Sequence, residues 1–374
     1  MASKLILHIG LQKSGTTFLQ HMLQSNAEAL ADAGVRYPVP ADWNRGRRTV
    51  ANHEWSTYGL LGTEYPWVSE ARAAREAPGW AELRDDVRES PGTVLLSAEA
   101  LSVVRGPAVR RLLESLGTGD VEVVVTARSL GRALPSLWQQ HIRNGRGTAF
   151  GGYLTGLAAH RDQGPGHIED APDAHIWRAF ALSGLVRRWS AAGASRITVV
   201  TSPGRPPALL WRRFAEAIGA PGLADLPPVR EEGPAHTGLT APETLVVAAL
   251  NDAVRAENRT GRDADRARQA VIERFRSRDR RGGRVAVPPE WRERVAEWSR
   301  EDVAALPGTG AAVVGDIGDL SYAPEHDGDP APTPEEVAAA GAEAALALAS
   351  VFAEPHPQES PIRRGARKVR HKLP

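Results

Sequence analysis

Cysteine is absent from the 374 residues. That removes disulfides, thiolate metal sites and cysteine nucleophiles together, and it excludes a secreted disulfide scaffold. Lysine is nearly absent. It stands only at positions 4, 13, 368 and 372, so 42 of the 46 basic residues are arginine. Against that background an interior lysine is conspicuous. An excess of either charge is lacking too, with 46 Lys plus Arg against 45 Asp plus Glu. A net charge of +1 argues against a chain built to coat nucleic acid or an anionic membrane. No window reaches about 18 uninterrupted apolar residues, so no membrane span is expected. The first apolar run, Leu5–Ile9, is too short for a signal-peptide core and is followed by polar residues, so a cytoplasmic location is expected. HExxH motifs and carboxylates at ligand spacing are missing as well, and no metal is expected.

What is present can build a sizeable core, since 42% of residues are hydrophobic and 24% charged. Four short runs, Leu5–Ile9, Val94–Leu96, Val121–Val125 and Ile197–Val200, are predominantly apolar and do not alternate, with His8, Glu122 and Thr198 as single exceptions. Such runs fit strands buried on both faces, as in a parallel sheet. After the first run, Leu19, Met22, Leu23, Ala27 and Leu30 fall at helical spacing, with Gly34 as a stop. Helical patterns also occupy Pro107–Leu116, Trp177–Ala191, Ala208–Ile218, Ala241–Asn258 and Pro334–Phe352. Strands alternating with helices predict a three-layer α/β/α fold around a mostly parallel sheet.

Residues 38–93 read as irregular, with Pro38, Pro40, Pro66 and Pro78 and the tryptophans Trp43, Trp55, Trp67 and Trp80. A long connection after a strand often builds the substrate side of a site. The arginine- and acid-rich stretch 255–284 reads as a solvated helix pair. Residues 1–354 are expected to form one catalytic domain, and 355–374 a flexible basic tail.

The sharpest signal is Gly10-Leu11-Gln12-Lys13-Ser14-Gly15-Thr16-Thr17, between the first strand and the first helix. A glycine-containing loop there can wrap an anion with backbone N–H groups at a helix N-terminus. The Gly10-x4-Gly15 spacing is that of a nucleotide P-loop. However, Thr16 stands where that motif places its lysine, and the lysine has moved to position 13.

Lys13-Ser14-Gly15-Thr16-Thr17 resembles the 5′-phosphosulfate loop of sulfotransferases, which have a P-loop-like fold. A second segment agrees: Arg128 follows the strand Val121–Val125, and Ser136 lies eight residues on. Gly34-Val35-Arg36-Tyr37-Pro38, Leu95-Leu96-Ser97-Ala98-Glu99 and Val313-Val314-Gly315-Asp316 are similar to stretches of bacterial members. The resemblance implies 3′-phosphoadenosine 5′-phosphosulfate as donor substrate. It implies that Lys13 stabilises the leaving phosphate, that Ser14, Gly15, Thr16 and Thr17 hold the 5′-phosphate, and that Arg128 and Ser136 bind the 3′-phosphate. A guanidinium offers a planar fork that suits phosphate oxygens.

Sulfuryl transfer to a hydroxyl needs a general base within hydrogen-bond reach. Glu99, at the end of the second apolar run, and His53, in the irregular segment, are the candidates, and the family uses either residue type. Glu99 leads because strand ends are more rigid than loops. His141 reads as structural. The acceptor, a glycan, lipid or small metabolite, is left open. Two rival readings remain: a P-loop kinase, which needs a lysine at Thr16 and an acid for magnesium, and a non-catalytic nucleotide-binding protein.

Overall fold

The computed structural model describes residues 2–39, 52–227, 238–259, 261–278, 283–328 and 331–352. Trp43, Pro40 and the whole 355–374 tail lie outside the described residues.

Six strands form one sheet: β1 (Lys4–His8), β2 (Val35–Arg36), β3 (Thr93–Ser97), β4 (Val121–Ala127), β5 (Arg196–Thr201) and β6 (Ala312–Val314). Every pairing is parallel, in the order β2-β3-β1-β4-β5-β6. The four apolar runs are therefore the four interior strands, as double-sided burial requires. The helices, in chain order, are α1 (Thr16–Ser25), α2 (Ala27–Asp32), α3 (Glu54–Leu61), α4 (Glu70–Glu89), α5 (Gly106–Leu116), α6 (Leu130–Arg143), α7 (Phe150–Arg161), α8 (Gly164–Asp170), α9 (His175–Phe180), α10 (Leu182–Ala191), α11 (Pro207–Ala217), α12 (Ala241–Ala256), α13 (Arg262–Arg276), α14 (Pro289–Ala305) and α15 (Pro334–Phe352). The expected three-layer α/β/α fold is what the chain adopts.

The sheet separates two apolar layers. Ile6, Leu95, Val124 and Val200 point to one face, where Leu19, Met22 and Leu23 of α1 and Trp211 and Phe214 of α11 cover them. The alternating residues Leu5, Leu7, Val94, Leu96, Val123 and Val125 are equally buried on the other face. Helices α5 and α10 pack together on that second side, with α10 against β5.

Two helical expectations need adjustment. The helix after β1 breaks at Asn26, whose side chain donates to the Met22 carbonyl (2.8 Å) and so ends α1. The 177–191 pattern breaks at Ala181 into α9 and α10. A larger correction concerns 38–93. Its described part is not irregular but carries the helices α3 and α4, and it ends where β3 begins at Thr93. Pro78 lies inside the 20-residue α4, so a proline that suggested a breaker is carried by tertiary packing. Gly59 makes that packing possible. A Cβ there would stand 2.4 Å from the Glu76 carbonyl oxygen of α4, so only glycine lets the helices approach this closely.

The chain divides into two compact units. The first comprises Met1–His141, Thr148–Ala235 and Val285–Pro330 and holds the sheet. The second comprises Ile142–Gly147, His236–Arg284 and Ala331–Pro374. In it, α13 and α15 pack through Val271, Phe275, Ala340 and Ala344, with an Arg274–Glu343 pair at 2.7 Å. Within the same unit Asn251 donates to the Ile142 and Arg146 carbonyls, each at 2.8 Å. The arginine-rich stretch supplies α13, an amphipathic helix whose apolar face is buried in this unit.

Gly59→Val is expected to destabilise the first unit by about 2 kcal/mol or more, because the clash is with backbone and cannot be relieved by a rotamer change. Gly156→Ala in α7 meets nothing within 4 Å and is expected to stabilise by about 0.5–1 kcal/mol. Thermal melts of the two variants check the contrast.

Candidate functional site

Strand register brings the sequence motifs together. His8 of β1 is level with Ser97 of β3 and Val124 of β4. Residues just beyond these positions, the 10–15 loop, Glu99 and Arg128, therefore share the carboxyl edge of three adjacent strands. The chain reverses its direction of growth across the sheet at β1, and such switch points form ligand crevices in α/β folds.

The loop is tied down on its β4 side. Leu11 N–H donates to the Thr126 carbonyl and Thr126 N–H to the Gly10 carbonyl, both at 2.5 Å. Beneath it runs a buried polar chain. The Gln20 amide donates to Ser97 Oγ (3.1 Å), and Ser97 Oγ meets His8 Nδ1 (2.9 Å). His8 Nε2 meets the Thr126 hydroxyl (3.2 Å), and that hydroxyl meets Ser14 Oγ (2.6 Å). The Ser14 hydroxyl donates to the Leu11 carbonyl (2.6 Å). Each hydrogen has an acceptor if His8 carries its proton on Nε2. Burial lowers His8 to about 3, so the imidazole stays neutral and the chain keeps this polarity.

Glycine is required at two points. Gly10 has φ +98°, and a Cβ there would lie 3.2 Å from both the Cβ and the carbonyl oxygen of Glu99. Gly15 has φ +102°, and its Cβ would meet a Leu210 methyl at 2.5 Å. Lys13 is also left-handed, at φ 65°. A non-glycine residue there carries strain of order 1 kcal/mol, which is common at ligand-binding turns. Its carbonyl accepts from Arg128 Nη1 at 2.7 Å, so the guanidinium lies directly behind the loop.

The anion-binding capacity of the loop differs in detail from expectation. The Ser14 hydroxyl is turned inward to the polar chain, and the Thr16 hydroxyl donates to Glu99 Oε2. Backbone N–H groups, the exposed Thr17 and the half-buried Lys13 remain on the outer side. No side chain caps the N-terminus of α1 and no acid lies in its first turn, so the positive end of the helix dipole is not offset from within. Ser136 sits half-buried on α6, two turns beyond Arg128.

Glu99 opens the turn 99–103, beside the loop. Burial raises its carboxyl above the ordinary glutamate range, while the Thr16 hydroxyl and the nearby Lys13 ammonium act in the opposite direction. The sequence reading missed its neighbour, Glu54. At the start of α3, Glu54 accepts from the Tyr58 hydroxyl and from the Ala100 backbone. Burial first, and the Glu99 charge second, push Glu54 up to about 7. Two carboxyl groups thus share one dry corner. A further partner set surrounds them: Arg72 lies over the Trp55 and Tyr58 rings, and Trp67 Nε1 donates to Tyr58 Oη (3.0 Å). Trp55 and Trp67 are 37% and 40% exposed, whereas Trp80 is core and donates to Ser115 Oγ.

His53 has a different task from the one expected. Its Nδ1 accepts from the Ser97 backbone N–H (3.0 Å) and its Nε2 donates to the Pro38 carbonyl (2.9 Å). Its own N–H donates to the Ser97 carbonyl (2.8 Å). Burial lowers it to about 4, and it is fully enclosed. A neutral ring with both nitrogens committed to backbone holds the edge of β3; it does not face the loop. His141, as expected, packs on a ring, that of Tyr153 at 5.4 Å.

The Glu54 environment makes stability depend on pH. Its carboxyl is raised in the folded chain, so the protonated form is favoured there. That contribution is complete below the unfolded value of about 4.3 and is lost as pH rises through about 7. Glu54→Gln is expected to flatten the decline in urea-unfolding stability between these limits; an unaltered pH profile would show that Glu54 ionises freely.

No family model matches the chain, and no curated protein matches it. Among solved structures, the crystal structure of a sulfotransferase from Alicyclobacillus acidocaldarius is similar, with 12% sequence identity and a TM-score of 0.42 over 82% of this chain and 96% of that one.

Proposed function

We propose that this chain is a sulfotransferase that moves a sulfuryl group from 3′-phosphoadenosine 5′-phosphosulfate to a hydroxyl acceptor. The observation that carries this reading is the pairing of a lysine-bearing anion loop with a buried acid: Glu99 abuts the loop at Gly10 and accepts from the Thr16 hydroxyl at the loop's far end. A kinase would need lysine at position 16, but Thr16 there is buried and bound to Glu99.

In the proposed reaction the loop N–H groups and the N-terminus of α1 hold the donor's 5′-phosphate. Arg128, with Ser136 on α6, recognises the 3′-phosphate. Glu99 takes the acceptor's hydroxyl proton as the acceptor oxygen bonds to sulfur. The bond from sulfur to the bridging oxygen breaks, and that oxygen leaves with its electron pair on adenosine 3′,5′-bisphosphate. Lys13 and the helix dipole stabilise the negative charge that grows there. Glu54 borders Glu99 on the acceptor side, where Trp55 and Trp67 offer exposed ring faces. A sugar or other flat apolar ring suits such faces.

The decisive assay incubates the protein with donor and cell extract, then identifies the sulfated product by mass spectrometry. Lys13→Ala and Glu99→Gln are each expected to lower kcat by about 10²-fold or more with unchanged melting temperature. Magnesium-dependent transfer from ATP would replace this reading with a kinase, and tight donor binding without turnover would leave a binding protein.

Calorimetry tests the donor assignment separately. Adenosine 3′,5′-bisphosphate is expected to bind more tightly than adenosine 5′-monophosphate, and Arg128→Ala to remove that preference by about 1.5–3 kcal/mol. Because Arg128 also supports the Lys13 carbonyl, the monophosphate serves as control. Equal weakening of both nucleotides would mean that Arg128 acts only on the loop.

A further inference from the structure

A large cavity lies elsewhere in the first unit. It has a volume of about 540 Å³, in the range of small-molecule sites, and neither Lys13, Thr16, Glu99 nor Arg128 lines it. Five arginines do: Arg110, Arg161, Arg178, Arg187 and Arg188, against the acids Glu169, Glu301 and Asp302.

The charges do not cancel locally. Arg161 takes two of the acids, pairing with Glu301 (2.9 Å) and Asp302 (3.2 Å). Arg188 takes the third, Glu169 at 2.5 Å. Arg178 is 2% exposed, yet it donates only to carbonyls, those of Val103, Ile168, Ala171 and Pro172. Arg188 is 6% exposed, and its Nε has no hydrogen-bond partner. Of these two buried guanidiniums only Arg188 is ion-paired, and its carboxylate is itself about a third exposed. Burial first, and Arg188 second, lower Arg178 to about 10. Uncompensated buried charge is costly unless a counter-charge is supplied. Arg110 and Arg187 add two exposed cations. Gly106 lies beside Arg110 and Arg188, and a Cβ there would stand in ordinary contact with both, at 3.8 Å from Arg110 Nη1 and 3.9 Å from Arg188 Cγ. Apart from Ser183 the rest of the wall is made of apolar residues and glycines, Ile168 and Ala181 among them.

The cavity wall is also tied to the candidate catalytic turn. Arg188 Nη2 donates to the Ser102 carbonyl (2.9 Å) and Arg178 Nε to the Val103 carbonyl (2.7 Å). Ser102 Oγ in turn donates to the Glu99 carbonyl at 2.7 Å. The turn 99–103 is thus held from behind by the two arginines that lack full compensation.

We propose that this cavity binds a small organic anion with an apolar body, and that its occupant steadies the turn that carries Glu99. The anionic head neutralises the arginine wall, and the body lies on the Ile168 and Ala181 side. Binding stands whether or not the chain transfers sulfuryl groups; only an effect on turnover rests on that reading.

Three probes separate the terms in calorimetry on the full chain: octanoate, acetate and 1-octanol. Octanoate carries both charge and body, acetate only the charge, and octanol only the body. Octanoate is expected to bind at least tenfold more tightly than either control, with affinity falling as salt is raised. The double variant Arg110→Gln/Arg187→Gln alters exposed positions only, so it is expected to fold and to weaken octanoate at least tenfold. Equal affinity for octanoate and octanol, or an unchanged double variant, would overturn the anion site. Hydrogen exchange reads the coupling. Octanoate is expected to slow exchange at amides 99–103 in the parent protein and not in the double variant. Binding without such protection would overturn the link to the turn.

Discussion

The anion loop is held in shape mainly by one residue of the neighbouring strand, Thr126. Its backbone exchanges two hydrogen bonds with Gly10 and Leu11, and its hydroxyl joins His8 to Ser14. An isolated loop of eight residues would sample many shapes. Here the last two steps of strand pairing extend into the loop itself, and its remaining polar groups are satisfied from below. The conformational entropy of the loop is thereby lost on folding, before any ligand arrives, so that binding need not supply it again. The left-handed Lys13 is tolerated for the same reason: Arg128 grips its carbonyl from behind.

Electrostatics divide the first unit into two regions of opposite character. Around Glu99 and Glu54, two carboxyls share a dry corner, and a lysine moderates the first of them. Around Arg178 and Arg188, two buried guanidiniums adjoin and only the second is ion-paired. The turn 99–103 is the physical boundary between them, with its first side chain in one region and its last carbonyls in the other. In a chain whose cations are nearly all arginine, a compact ammonium at position 13 supplies a point charge where a planar fork would need more room.

Much of this was legible in the sequence, and the gaps have physical causes. The four interior strands announce themselves because burial on both faces demands runs that are mostly apolar and do not alternate. Edge strands β2 and β6, of two and three residues, carry too few side chains for any period. Helices α3 and α4 were hidden because Pro78 and the tryptophans mimic a loop, while the feature that unites them, a close approach at Gly59, is a long-range contact. Glu99 was visible as an acid at a strand end. Its partner was not, because His53 and Glu54 are adjacent and only the start of α3 decides which of the two points to the backbone of β3 and which to Glu99. His8 and Thr126 are polar residues near strand ends, and only the register of three strands reveals that they meet. The arginine cavity left no local signature at all, since its wall is drawn from segments between residues 106 and 305.

The pairing of Lys4–His8 with Thr93–Ser97 has a discrete consequence. Side chains alternate along a strand, so the side on which an acid emerges is a two-valued quantity. Deleting or inserting one residue in β3 would exchange its buried leucines with its outward positions and turn the carboxyl of residue 99 away from the loop, with an alanine, 98 or 100, in its place. No gradual drift connects the two arrangements. Sequence change in this protein can therefore adjust what surrounds the acid by degrees, through α3, the 65–68 connection or the exposed first turn of α1, but it can move the acid itself only by whole residues. The hydrophobic faces of the sheet, which have no chemical role, thereby act as the ruler that places the chemistry.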